Sequence, residues 1–299
     1  MKVLITGATG FFGRHLVRRL TSMGWDLYIS NTKQGNLMDD KNLHIFNHLK
    51  FDYIFHLAAH TKAGDYCLYH KAEQFEINQK INTNILKYWN DFQPQAKMVA
   101  MGTSCSYSPD LEMVEENYLL GQPDLGLYTY AMTKRMLLVG LQSYAEQYGL
   151  KYLYFVPSTL FGPDFDLEDS HFIFDLIKKI YAGKYHNEKV TLWGDGYQKR
   201  ELIYVDDAIN IILNSLDFEN KVLNLGSGKE YSIREYAQII CDFFGYESSK
   251  IDYDITKYVG VKSKKLNIDK LNLKYDNFTD FKVNLNKTVT YYKKMIDKE

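Results

Sequence analysis

Cysteine is scarce in this chain: 299 residues contain three, Cys67, Cys105 and Cys241, and no two form a C-x-x-C pair. That excludes a disulfide framework and a cysteine-based zinc module. Neither sign of charge is in excess, with 36 Lys+Arg against 37 Asp+Glu and a formal net charge of −1. A general nucleic-acid binder needs a basic surplus to displace counterions from phosphates, so that class is excluded. One phosphorylated small molecule held by a local basic cluster is still compatible. Nowhere do 18 apolar residues run together, so no membrane span is expected. The apolar start Val3-Leu4-Ile5 is broken at once by Thr6-Gly7, too short for the apolar region of a signal peptide. A cytoplasmic protein is the expectation.

What is present is ordinary in bulk, with 45% hydrophobic and 24% charged residues, enough for a sizeable core. The exception is tyrosine, 25 residues, which packing can absorb. Along the chain, apolar runs alternate with helical spacings. Strands are predicted at Lys2–Thr6, Trp25–Ser30, Tyr53–Leu57, Lys97–Met101 and Lys151–Phe155. Helices are predicted after Gly13, around Asp39–Leu49, from Ala72 to Phe92 and from Thr129 to Tyr148. Such alternation implies crossover connections and an α/β fold with a parallel sheet covered on both faces.

After Phe161-Gly162-Pro163 the alternation loosens. Helices are expected at His171–Ala182, Asp206–Leu216, Ile233–Phe244 and Leu285–Ile296, with strands at Val190–Leu192, Leu202–Val205 and Val222–Leu225. Ser232 and Glu235 have the spacing of a capping box, and Asp206-Asp207 reads as a helix cap.

Gly7-Ala8-Thr9-Gly10-Phe11-Phe12-Gly13 is G-x-x-G-x-x-G between the first strand and first helix. Glycines there permit a tight turn and let a pyrophosphate approach backbone N–H groups at a helix start, so the loop points to dinucleotide binding. The second strand ends in Ser30-Asn31-Thr32-Lys33, with no carboxylate for an adenosine ribose, and Arg14 follows the loop. Small polar and basic groups suit a 2′-phosphate, which favours NADP(H); Asn31 could equally bond a plain ribose, which keeps NAD(H) open.

Tyr130 and Lys134 stand four apart on one helix face, and an ammonium beside a phenol is expected to lower its pKa and make it a usable acid/base. Four other Tyr-x-x-x-Lys pairs exist, starting at Tyr185, Tyr246, Tyr253 and Tyr258. Only Tyr130 follows a loop, Thr103–Ser108, at the carboxyl end of a predicted sheet strand, where open α/β sheets place ligands. Of the eight His, His44 and His48 share a helix face without a completing carboxylate, and no metal is expected.

GATGFFG, FHLAA (Phe55–Ala59), GTSCSYS (Gly102–Ser108), YAMTK (Tyr130–Lys134), LFGP (Leu160–Pro163) and RELIYVDDA (Arg200–Ala208) together resemble the extended short-chain dehydrogenase/reductases that act on nucleotide sugars. The resemblance implies a Rossmann domain over residues 1–160 with return segments near 190–225, and a smaller α/β substrate domain over 161–299 interwoven with it. It implies a triad of Thr103, Tyr130 and Lys134. It places cofactor contacts at Gly7, Thr9, Gly10, Phe11, Phe12, Gly13, Asn31, Lys33, Leu57, Ala58, Ala59, Tyr130, Lys134 and Pro157.

Thr103-Ser104-Cys105 and the later Ser170-His171-Phe172-Ile173 are similar to the GDP-L-fucose synthase-like branch, which epimerises a 4-keto sugar and reduces its C4 with NADPH. Carried over, Cys105 is the base and His171 the acid, while Ser104, Lys179, Trp193, Arg200 and Lys265 join them in binding a nucleotide-diphosphate sugar, GDP-linked by preference. A homodimer is implied. Read from the residues alone, Cys105 could be a small buried filler and His171 a polar cap. The alternative activity is a nucleotide-sugar 4-epimerase or 4-dehydrogenase with tightly held NAD and the same triad. No Asp-Glu follows Thr103, which argues against a 4,6-dehydratase.

Overall fold

The computed structural model describes residues 1–30, 36–61, 66–167, 171–257, 259–272, 275 and 277–297. In chain order its strands are β1 (Lys2–Thr6), β2 (Asp26–Ser30), β3 (Tyr53–His56), β4 (Lys97–Met101), β5 (Tyr152–Pro157), β6 (Thr159–Phe161), β7 (Thr191–Trp193), β8 (Lys199–Tyr204), β9 (Lys221–Leu225), β10 (Glu230–Ser232) and β11 (Asp252–Asp254). Its helices are α1 (Phe11–Ser22), α2 (Tyr66–Tyr69), α3 (Lys71–Phe92), α4 (Tyr128–Tyr148), α5 (Phe172–Tyr185), α6 (Val205–Asn214), α7 (Ile233–Phe244), α8 (Asp269–Asn272) and α9 (Phe281–Ile296).

Six strands form one parallel sheet in the order β2-β1-β3-β4-β5-β9. Period-two alternation within each apolar run divides its side chains between two cores. Val3, Ile5, Phe55, Val99, Leu153 and Phe155 face α1 and α6, whereas Leu4, Ile54, Met98, Ala100 and Tyr154 face α3 and α4. Burial on both faces explains why these runs read as continuously apolar. From β1 the chain steps out to the edge strand β2, then returns to the other side of β1 as β3. Loops leaving the carboxyl ends of β1 and β3 therefore diverge and open a crevice.

The smaller α/β domain is a third core, where α5, α7 and α9 pack Phe174, Tyr181, Tyr236, Phe244 and Tyr292 against β7 and β8. Much of the tyrosine surplus is consumed here and beneath the sheet, at Tyr107, Tyr118 and Tyr154. The return strand β9 completes the main sheet, beside β5.

Several local expectations need correction. The helix expected around Asp39–Leu49 is a 3₁₀ segment, Asp40–Phe46, because its buried anchors Leu43 and Phe46 are three apart and fit the tighter winding. Asp206 and Asp207 occupy the first turn of α6, and Tyr204 is the cap residue. Asp206 faces His15 at 3.6 Å, and Asp207 accepts from the Thr279 hydroxyl at 2.8 Å. The capping box is present as read: Ser232 Oγ accepts from Glu235 N, and Glu235 accepts from Ser232 N. Strands β6, β10 and β11 have three residues each, too few to show a period.

Candidate active site

The crevice at the head of β1 and β3 is a cavity of about 700 Å³. Its floor is the glycine loop. Gly7 has a φ of +70°, and a Cβ there would sit 2.6 Å from Ala58 N; a Cβ on Gly13 would sit 2.2 Å from the Gly7 carbonyl oxygen. Both positions therefore require glycine for the loop, α1 and β3 to meet. Gly10 caps α1 with no side-chain hydrogen bond, so the first-turn N–H groups are served by no cap side chain. An uncapped helix start at the floor of the crevice fits a dinucleotide pyrophosphate. Thr9, Gly10, Phe11, Phe12, Leu57, Ala58, Ala59 and Pro157 wall the same cavity.

A second cavity, of about 810 Å³, lies between the sheet and the smaller domain. Lys179 and His171 reach it from α5 and its cap, Trp193 from β7 and Arg200 from β8. Among the described residues, five wall both cavities: Thr61, Cys105, Tyr130, His171 and Lys264. These residues mark the junction where the two cavities meet.

Thr103 caps the 3₁₀ turn Ser104–Ser106, its Oγ1 accepting from Cys105 N at 3.2 Å. Tyr130 enters from the first turn of α4 and hydrogen-bonds Thr103. Burial, with the neighbouring Cys105 and Tyr118, pushes the Tyr130 phenol above its ordinary range. The expected lowering by Lys134 is therefore corrected: desolvation prevails and the phenol is held in its neutral form. Lys134 is buried one turn on, donating Nζ to the Met101 carbonyl at 2.8 Å, and burial lowers its pKa to about 8. Cys105 goes the other way. Burial raises its pKa, but Lys264, a hydrogen bond from Thr103 and the more distant Arg200 lower it further, for a net shift downward. Lys264 Nζ donates to Cys105 Sγ at 3.2 Å.

Thus Cys105, Tyr130 and His171 meet at the junction, Thr103 lies beside them, and Lys134 lies behind. Ser104 lies on the wall of the first cavity, not the second. Lys265 points to solvent, and its neighbour Lys264 takes the inward place. Buried Leu266 marks the inward parity of this extended segment, which assigns Lys264 the same side. Arg14 is not at the strand end. It donates to the carbonyls of Thr9 and Asp164 and pairs with Asp166, closing α1 onto the smaller domain. Asn31 and Lys33 lie outside the described residues. Among the described residues no helix is long and apolar enough to cross a membrane.

Residues 3–226 match the NAD dependent epimerase/dehydratase family. The chain is 28% identical to GDP-L-colitose synthase of Yersinia pseudotuberculosis over 98% of each chain. It is 28% identical to GDP-L-fucose synthase of Escherichia coli (strain K12), over 90% of this chain and 89% of that one. Among solved structures, a GDP-L-fucose synthetase from Naegleria fowleri bound to NADP superposes with a TM-score of 0.87 at 25% identity, covering 99% of this chain and 93% of that one. With its glycine loop, its parallel sheet and the Tyr130/Lys134 helix, the chain belongs to the NAD dependent epimerase/dehydratase family, as an NAD(P)-dependent oxidoreductase similar to the GDP-L-fucose synthase-like nucleotide-sugar enzymes.

Proposed function

We propose that this enzyme reduces the C4 carbonyl of a GDP-linked 4-keto sugar with NADPH, after Cys105 and His171 have inverted carbons flanking that carbonyl. The observation that carries the reading is the shared wall. Cys105, Tyr130 and His171 stand together where the dinucleotide crevice opens into the second cavity. The GDP assignment is supported by the names of the Yersinia and Escherichia relatives, and the NADP type of cofactor by the NADP bound to the Naegleria one.

The glycine loop and the α1 start would hold the dinucleotide, which when bound supplies hydride. Protons next to a ketone are acidic, and the Cys105 sulfur, drawn towards thiolate by Lys264, is suited to remove one. His171 would return a proton on the opposite face. Thr103 would orient the C4 oxygen, and Tyr130, held as a neutral phenol, would protonate it as negative charge develops. Arg200, Lys179 and Trp193 would take the nucleotide diphosphate, two cations and one stacking surface.

The test is turnover of a GDP-linked 4-keto-6-deoxyhexose with NADPH in deuterium oxide. NADPH oxidation with deuterium at C3 or C5 is expected, and Cys105→Ser should stop deuterium entry while C4 reduction continues. Loss of both activities together would sink the division of labour. Tightly retained NAD with no net NADPH consumption would replace it with the 4-epimerase reading.

A further inference from the structure

The Lys264–Cys105 contact joins residues 159 positions apart, across the two domains. The segment carrying Lys264 is stitched to β8 at successive points. Lys199 N donates to the Lys262 carbonyl at 2.7 Å and Glu201 N to the Lys264 carbonyl at 3.2 Å. The Arg200 guanidinium donates to the carbonyls of Val259 and Val261, and Glu201 Oε2 accepts from Leu266 N at 2.7 Å. Bonding on both sides of Lys264 sets its register, so a lysine on a long flexible stem arrives at one sulfur.

We propose that Lys264 is the positioning residue that keeps Cys105 as a thiolate, so that a base rather than a thiol faces the carbon beside the sugar ketone; this rests on the base role given to Cys105 above. The groups that face Cys105 from the packed elements are consistent with it. Arg200 of β8 adds positive charge, Tyr130 of α4 is a neutral phenol, and His171 and Cys67 line the same cavity. Among the described residues, the carboxylates of that cavity are engaged: Asp124 accepts from Gly126 N at 2.8 Å, and Asp175 pairs with Lys179 at 2.8 Å. The thiol's net downward shift, against the upward push of burial, agrees with the geometry.

In the step itself the carbon's C–H bond breaks and its proton passes to sulfur, forming S–H. The electron pair moves into the enolate, and the ammonium of Lys264 keeps its protons. His171 then protonates the carbon. No oxidant or reductant enters, and Cys105 and His171 exchange one proton each with solvent to reset.

The experiment measures iodoacetamide alkylation of Cys105, read by peptide mass spectrometry, from about pH 5 to about pH 10 in the intact enzyme, in Lys264→Met and in Lys264→Arg. In the methionine variant the midpoint should move up by about one pH unit, which is about tenfold slower alkylation near neutrality, and arginine should restore it. The pH profile of deuterium entry should move by the same amount. An unmoved alkylation midpoint in Lys264→Met overturns the proposal. So does a change in KM alone with unmoved pH profiles, the signature of a plain substrate contact. Alkylation needs no sugar, so it separates this proposal from the base assignment: deuterium entry surviving in Cys105→Ser would overturn the base role of the sulfur and leave the Lys264 shift as measured.

Discussion

Tyr154 donates its hydroxyl to the main-chain carbonyl of Lys134 at 2.7 Å, and the same hydroxyl lies 3.0 Å from that of Tyr118. Tyr118 in turn receives Thr103 N at 3.4 Å. A buried tyrosine pair thus ties strand β5 to both α4 and the Thr103 turn.

Tyr154→Phe removes one donor and keeps the ring. It should cost about 1 kcal/mol in urea unfolding and lower kcat for C4 reduction more than it raises KM, because Thr103 and Lys134 lose a shared brace. An unchanged kcat would show that the brace serves stability alone.

Gly13→Ala places a methyl 2.2 Å from the Gly7 carbonyl oxygen and 2.7 Å from Ala8 Cα, both backbone atoms. The loop must open, so NADPH affinity, followed by fluorescence titration, should weaken by roughly tenfold or more, about 1.4 kcal/mol. Far-ultraviolet circular dichroism should be little changed, since the strand and helix flanking the loop are held by their own cores.

Tyr130→Phe deletes the proposed acid but keeps the shape. C4 reduction should fall by about 10²- to 10⁴-fold, while Cys105-dependent deuterium entry persists. In the unaltered enzyme the raised phenol pKa keeps Tyr130 protonated through neutrality, so Tyr130 should impose no fall in reduction rate below the ordinary tyrosine range.

His56 is buried between Thr6 Oγ1 at 2.9 Å and Asn82 Oδ1 at 3.3 Å, and burial, helped by Lys134, lowers its pKa from 6.5 to about 4. Below pH 6.5 the unfolded chain binds this proton and the folded one does not. Stability should therefore fall by up to roughly 3 kcal/mol as pH drops from 6.5 to about 4. Urea midpoints across that window should be flatter for His56→Gln by the same amount. Parallel curves would contradict the shift.

Much of this was readable in the chain because it is local. The G-x-x-G-x-x-G loop works through its own turn and the helix that follows. Ser232 and Glu235 cap within one turn, and α7 begins where they place it. Tyr130 stood out among five Tyr-x-x-x-Lys pairs by its position after a sheet strand, and in the fold it reaches the junction of the cavities. Arg14 misled because its proximity to the loop along the chain says nothing of Asp164 and Asp166, which claim its guanidinium. Lys265 misled for a related reason. Which lysine of a charged run turns inward depends on the hydrogen bonds that set the segment's register, and those come from β8.

By itself, then, the sequence determined the alternating strands and helices, the phosphate loop and the Tyr130/Lys134 pair, since spacing and side-chain chemistry act over a few residues; Thr103, Cys105 and His171 joined that pair only through the family resemblance. Only the tertiary structure decided which way the pKa values of Tyr130, Lys134 and Cys105 move. Burial raises the Tyr130 phenol instead of letting Lys134 lower it, and Lys264, distant in sequence, lowers the Cys105 thiol. Desolvation and contacts between distant residues exist only once the chain has closed on itself.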